Sequence, residues 1–236
     1  MGATEVAHRV QTVRDLTDNT FVLRFDRAGM QFRPGQHLDV GLKGDSALRK
    51  YSIYSTPNDD FLEILVREVK KGRVSPLLRR LSPGDELSVE GPSGFFLIPP
   101  EAIAEREFLF VATGTGISPF HCFAGAYPGL RYRLLHGVRF RGEMYEHHAF
   151  HPGRVVSCVS REVAGDGPKG AADGDSGDGR EAILLGEHVT DYLSRHETPP
   201  ETLCYLCGNR DMIDDASAIL KSQGVPPENL FAEEYF

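Results

Sequence analysis

The sequence predicts a β plus α/β protein in two parts, an antiparallel β domain over residues 1–101 followed by a parallel-sheet α/β domain over residues 102–236. Three observations carry this reading. Short β-branched or alternating runs, separated by turn compositions, fill the first hundred residues. From Pro99-Pro100 onward, strand-like and helical stretches alternate. A glycine-rich turn, Gly114-Thr-Gly116, falls between a strand and a helix.

In the first half, strands are expected at 6–14, 20–26, 37–42, 51–55, 61–69 and 86–90. Asp15-Leu-Thr-Asp-Asn19, Arg33-Pro-Gly35, Pro57-Asn-Asp-Asp60, Lys71-Gly72 and Ser82-Pro-Gly-Asp85 are the turn signals between them. One helix interrupts the run at 76–81, with Ser75 as N-cap and Pro76 as first helical residue. Short strands at this spacing build an antiparallel barrel or sandwich.

In the second half, strands are expected at 107–112, 132–138, 154–159, 202–206 and 230–232. Helices are expected from Ser118, near 145–150, at 189–194 and at 209–223. That order reads as βαβ units. The stretch 164–181 is rich in Gly and Asp and reads as a mobile loop. Its Asp173, Asp175 and Asp178 do not match the EF-hand spacing and lack the closing Glu, so no metal site is expected there.

Composition narrows the classes. The 236 residues are 40% hydrophobic and carry a formal charge of −8, which suits a globular chain. Residues 1–100 carry a net +1 and residues 101–236 a net −9, which argues against nucleic-acid binding. No run of about 18 apolar residues predicts a membrane span, and the start lacks a signal-peptide stretch. A cytoplasmic protein is expected, with its four cysteines reduced. On a strand, Cys204 and Cys207 face opposite sides, and no second pair completes a zinc site. His147-His148 reads as part of a solvated helix. No iron–sulfur spacing is present, so any cluster belongs to a partner.

The chemistry-bearing motifs come next. Thr113 and the glycines Gly114 and Gly116 around Thr115 let a backbone approach a pyrophosphate at a helix start. Pro119 stands where the usual dinucleotide fingerprint has its third glycine, and alone the turn suits any α/β protein. About twenty residues on, Arg139 occupies the place where an Arg suits a 2′-phosphate, and Ser160-Arg161 could supply a second clamp. Each Arg alone reads equally as a surface charge. Gly72-Arg-Val-Ser75 opens a helix and is either a phosphate site or a simple cap. Arg49, Lys50, Tyr51 and Ser52 lie on one strand and could offer a cation, a stacking face and a hydrogen bond to one ligand.

Taken together, the pieces become specific. The ordered blocks are Phe32-Arg-Pro-Gly-Gln36, Arg49-Lys-Tyr-Ser52, Gly72-Arg-Val-Ser75, Gly91-Pro-Ser-Gly94, Gly114-Thr-Gly-Ile-Ser-Pro119, Ser160-Arg-Glu162, Cys207-Gly-Asn-Arg-Asp-Met212 and an aromatic C-terminus. With them the chain resembles the ferredoxin–NADP(H) reductase family. The resemblance implies an FAD-binding β-barrel, an NADP(H)-binding α/β domain, and electron exchange with an acidic carrier such as ferredoxin or flavodoxin. The near-neutral first half would be the docking face, and a monomer is favoured. By position, Arg49 would bind the FAD pyrophosphate, Tyr51 pack on the isoalloxazine and Ser52 bond near flavin N5. Gly72, Arg73, Val74 and Ser75 would hold FAD phosphates. Thr115 and its flanking glycines would cradle the NADP(H) pyrophosphate, and Arg139, Ser160 and Arg161 would meet the 2′-phosphate. Cys207, Gly208 and Met212 would line the nicotinamide side, with Glu234, Tyr235 and Phe236 closing over the flavin. Tyr235 is favoured over Phe236 as the stacking ring. The resemblance implies Ser52, Cys207, Glu234 and Tyr235 as the catalytic set, and no metal.

One departure bears on nucleotide choice. Where family members that favour NADP(H) often carry a further Arg, this chain reads Gly186-Glu-His188-Val, with Arg180 in the Gly/Asp-rich stretch. Two other readings stand beside the first: an NAD(P)H-dependent reductase serving an oxygenase or other acceptor, and a non-catalytic nucleotide-binding subunit.

Overall fold

The computed structural model describes residues 7–163 and 181–235. The Gly/Asp-rich stretch through Arg180, with Asp173, Asp175 and Asp178, and Phe236 lie outside the described residues. The chain forms two compact units. One comprises the described residues up to Leu97 together with Ser118–Ala126; the other comprises Ile98–Ile117 and the described residues from Tyr127 on.

The first unit is a six-stranded antiparallel sheet built from β1 (His8–Thr17), β2 (Thr20–Asp26), β3 (His37–Leu42), β4 (Arg49–Ser52), β5 (Phe61–Arg67) and β6 (Glu86–Ser93). The strand order is β4-β3-β6-β1-β2-β5. Ile53, just past β4, bridges Ile64 of β5, so the two outer strands meet and the sheet curls closed. Cross-strand pairs fill the inside: Phe21 with Val66, Leu23 with Ile64 and Phe25 with Leu62, all fully buried. The two-residue period of the strands puts these alternate positions on one face. At Gly35 the φ of +90° requires glycine, and a Cβ would collide with the Phe96 carbonyl.

Helix α1 (Ser75–Arg79) corrects the expected cap. Val74, not Ser75, precedes the helix, and the Val74 carbonyl accepts from the Leu77 and Leu78 amides. The Ser75 hydroxyl instead accepts from the Val69 N–H at 2.9 Å, closing the loop before the helix. Burial of Ser75 decides this, because a buried hydroxyl must find a partner where it lies.

Helix α2 (Ala102–Glu105) and strand β10 (Ala182–Leu185) are too short for periodicity to reveal. Helix α3 (Ser118–Ala126) follows the glycine-rich turn and belongs to the first unit. Phe120 and Phe123 pack against Phe96. Cys122 joins the barrel core. His121 stacks on Tyr54 at 3.8 Å.

The second unit is an all-parallel sheet of β7 (Glu107–Thr113), β8 (Arg131–Val138), β9 (Val155–Val159), β10, β11 (Leu203–Gly208) and β12 (Leu230–Glu234). The order is β10-β9-β8-β7-β11-β12. The chain therefore winds outward from β7 on one side, then returns to place β11 and β12 on the other. Helices α4 (Val189–Arg195) and α5 (Arg210–Ser222) share one core with β7, β8, β9 and β11. The region near 145–150 forms two 3₁₀ turns, Arg141–Glu143 and His147–Ala149, rather than an α-helix. The left-handed backbone of Glu146, φ +47°, breaks the helical path between them.

Phe110, at the centre of β7, is fully buried and stacks on Tyr132 at 5.5 Å. Phe110→Ala is expected to destabilise the second unit by about 3–5 kcal/mol, read as a lowered thermal midpoint by circular dichroism.

Candidate functional site

The winding of the parallel sheet locates the site in the second unit. Where strand order reverses, between β7 and β11, the connections leave in opposite directions and open a crevice at the carboxyl ends of the strands. Thr113 ends β7, and Gly208 ends β11 beside it. The two backbones approach closely. A Cβ at Gly116 would strike the Cys207 carbonyl oxygen, and one at Gly208, where φ is +146°, would strike Thr113 Oγ1. The Thr113 hydroxyl accepts from the Asn209 N–H at 3.2 Å. Asn209 caps α5, its Oδ1 accepting from the Met212 N–H at 2.8 Å. The glycines thus let the turn after β7 pack against the end of β11 backbone to backbone, which fits a turn that offers its N–H groups to a pyrophosphate-bearing nucleotide.

The other expected nucleotide residues gather along the same edge. Backbone bonds extend the ladder past the strand ends, from the Ser160 N–H to the Val138 carbonyl and from the Arg161 N–H to the Arg139 carbonyl. The C-terminus arrives there too, with Glu234 opposite Gly208 and the Tyr235 N–H on the Gly208 carbonyl at 2.7 Å.

The side chains are not equally available. The Arg139 guanidinium embraces the Glu143 carboxylate, with Nη2 on Oε1 and Nε 3.3 Å from Oε2, and its backbone N–H bonds the same carboxylate at 2.9 Å. Burial pushes Glu143 up, yet the bonds and charge of Arg139 outweigh it and hold the carboxyl below its usual range. Arg139 thus spends its charge on a partner four residues away. The Ser160 hydroxyl bonds the Val138 carbonyl at 3.3 Å. Arg161 is exposed and makes no ion pair among the described residues. Met212 is buried in the core of the unit. The Cys207 thiol is also buried, and desolvation pushes it far above its ordinary range. It is a neutral, shape-defining side chain at neutral pH. His188, at the start of α4, donates its backbone N–H to Asp191 at 2.8 Å.

In the first unit, Arg49 and Tyr51 occupy alternate positions on β4. Arg49 is exposed, and one of its nitrogens bonds the Leu48 carbonyl at 2.8 Å. Tyr51 is half-buried, and burial pushes its phenol up to about 12 against the opposing charge of Arg49. Lys50 is exposed and Ser52 is buried. The Ser52 carbonyl accepts from the Ser118 hydroxyl at 3.1 Å. The loop before α1 is tied to the approach to β4, since Arg73 pairs with Asp45 at 2.7 Å. Gly72 closes a tight turn, its N–H 2.6 Å from the Val69 carbonyl. A Cβ at Gly72 would press on that carbonyl at 3.0 Å. Val74 is core, and the Ser75 hydroxyl is engaged with Val69. A cation, a phenol face and a glycine turn therefore converge within one unit, which fits a flavin nucleotide. The side chains of Val74 and Ser75 serve the scaffold.

Sequence reasoning missed Glu143 and a set of buried polar residues. His136, His147 and Ser157 lie inside the unit, which corrects the solvated-helix reading of His147; His148 is exposed. A histidine within the apolar run 132–138 was the available signal.

Comparison with known proteins gives the following likenesses. Residues 4–98 match the oxidoreductase FAD-binding domain model. The chain is 28% identical over 224 residues to the flavodoxin/ferredoxin–NADP reductase of Escherichia coli, covering 89% of this chain and 87% of that protein. It is 26% identical over 238 residues to the toluate 1,2-dioxygenase electron transfer component of Pseudomonas putida, covering 96% of this chain but 66% of that protein. A ferredoxin NADP⁺ reductase from Neisseria gonorrhoeae, crystallised with FAD and NADP, superposes with a TM-score of 0.80 at 21% identity, each chain fully covered. The matched domain makes the first unit an oxidoreductase FAD-binding domain, and the whole chain is similar to ferredoxin–NADP reductases and to oxygenase electron-transfer components. Among the described residues, no helix is long and apolar enough to cross a membrane.

All four cysteines are free and buried, and burial pushes the Cys122, Cys158 and Cys204 thiols up to about 12. None should react with iodoacetamide at pH 8 in the folded protein, and all four should react in denaturant. One rapidly labelled thiol in the native protein, scored by mass spectrometry, would contradict this.

Proposed function

We propose that this chain exchanges a hydride between NADP(H) and FAD and passes single electrons to a ferredoxin or flavodoxin. The observation that carries the reading is the glycine-lined split between β7 and β11, with Gly116 against Cys207 and Gly208 against Thr113. Bound FAD supplies the two-electron and one-electron chemistry. The protein's own residues bind, orient and exclude. Arg49 and the backbone of Gly72–Ser75 would neutralise and hold the flavin phosphates, and Tyr51 would give the ring a flat apolar wall. Thr113–Gly116 would hold the nucleotide pyrophosphate by backbone N–H groups. Ser52 is an uncharged group that would border the flavin in the first unit, and Cys207 one that would border the nicotinamide in the second, neither competing as a base. Tyr235, tethered at its backbone to Gly208, would gate the nicotinamide at the edge of the second unit.

Arg161 is the side chain best placed to read the 2′-phosphate, because Arg139 is committed to Glu143. A single exposed cation discriminates less than a pair. That favours as second reading an NAD(P)H-dependent reductase that feeds an oxygenase or another acceptor, as the Pseudomonas putida relative does by name. The near-neutral first unit, in a chain of net charge −8, is the face where an acidic carrier meets least repulsion.

Anaerobic stopped-flow mixing with NADPH and then NADH tests the core reading. Flavin bleaching is expected with both and faster with NADPH; an unreacted flavin with either nucleotide would sink it. Arg161→Ala should raise KM for NADPH about tenfold, the loss of one charge-assisted hydrogen bond, and leave KM for NADH within about twofold. Arg139→Ala should shift the ratio less. Reduction of an acidic carrier should slow as salt rises; a rate independent of salt would place docking elsewhere.

A further inference from the structure

Strand β8 carries a histidine through the interior of the second unit. His136 is fully buried, with Nε2 2.9 Å from the Gly114 carbonyl oxygen and Nδ1 2.7 Å from His147 Nε2. His147 Nδ1 lies 2.8 Å from Glu181 Oε1, and the same oxygen accepts from the Ser157 hydroxyl at 2.6 Å. A continuous chain of hydrogen bonds thus runs from the glycine-rich turn to the residue that precedes β10.

The protons on this chain follow from its ends. The Gly114 carbonyl and the ionised Glu181 carboxylate only accept. His136 Nε2 must therefore carry a hydrogen. Burial, reinforced by the neighbouring His147 and opposed by the Gly114 bond, pushes His136 down to about 3, so its ring is neutral and Nδ1 is bare. His147 then donates at Nε2 to His136, while Glu181 and the Ser157 hydroxyl face its other nitrogen, Nδ1. The tautomer of His136 is thus set by its own two contacts, the Gly114 carbonyl at Nε2 and His147 at Nδ1.

The Gly114 carbonyl matters because of the peptide it belongs to. In a planar trans peptide the N–H points opposite to the C=O. Fixing the Gly114 oxygen on His136 therefore turns the Thr115 N–H away from the interior of the sheet. Gly114, at φ +53°, offers little restraint of its own on that plane.

We propose that His136 is a positioning residue for pyridine-nucleotide binding, holding the Gly114–Thr115 peptide with its N–H presented to the nucleotide phosphates, its other ring nitrogen being occupied by His147. The proposal rests on the reading that this turn holds the nucleotide.

Calorimetric titration of the flavin-loaded protein with NADP⁺ tests it. His136→Phe keeps ring volume and removes Nε2–H; affinity should fall about tenfold, the worth of one buried hydrogen bond, with flavin content unchanged. Among the described residues Glu181 bonds His147 and Ser157, so Glu181→Leu disturbs the same interior without touching the His136–Gly114 bond and should keep affinity within about twofold. His136→Gln, with an amide nitrogen near the place of Nε2, should recover most of the affinity. Should His136→Phe not fold, His136→Leu against His136→Gln reads the same bond, the first weak and the second near wild type. Affinity within twofold of wild type in His136→Phe, or a loss in Glu181→Leu as large as in His136→Phe, overturns the proposal. A wild type that binds no NADP⁺ overturns the functional reading as well, whereas a binding wild type with unchanged variants overturns the positioning role alone.

Discussion

The contact of Gly116 with the Cys207 carbonyl is the constraint on which the second unit's site depends. Two neighbouring parallel strands whose connections leave in opposite directions can bring their ends this close only if no side chain stands between them. Here Gly116 and Gly208 both lie where a Cβ would strike neighbouring backbone or the Thr113 hydroxyl. The Glu234-Tyr235 segment is drawn to the same edge by pairing with β11.

Within each unit charge follows a simple rule: a cation with a near carboxylate is used up, and one without is available. Arg139 is held by Glu143, Arg141 lies 3.2 Å from Glu162, and Arg73 is drawn to Asp45 in the first unit. Arg161 and Arg49 are the exposed cations at the positions the family resemblance marks. Which arginines lack an ion-pair partner among the described residues is a property no single motif carries.

The buried polar chain from Gly114 to Ser157 shows a second way to build a site. Burial of two imidazoles and a carboxylate is costly unless every donor and acceptor is matched. Matching them here fixes the orientation of a peptide in the glycine-rich turn. The interior of the sheet and the binding edge are therefore one hydrogen-bonded system.

The sequence by itself determined the two-part plan and most of the order of elements along the chain, because alternation, turn residues and glycine blocks are local signals. It also placed Thr113–Gly116, Arg139, Ser160, Arg161, Cys207 and Gly208 in segments that the sheet gathers on one edge. Local pattern misassigned the cap at Ser75, whose hydroxyl serves Val69, and the setting of His147, which is buried rather than solvated. It could not foresee that α3 packs with the barrel core. Tertiary structure alone decided those outcomes, as it decided that Arg139 belongs to Glu143 and that His136 belongs to Gly114. The physical reason is common to all: burial obliges each polar group to pair with whatever the fold brings within about 3 Å, and that partner is set by strand neighbours distant in sequence.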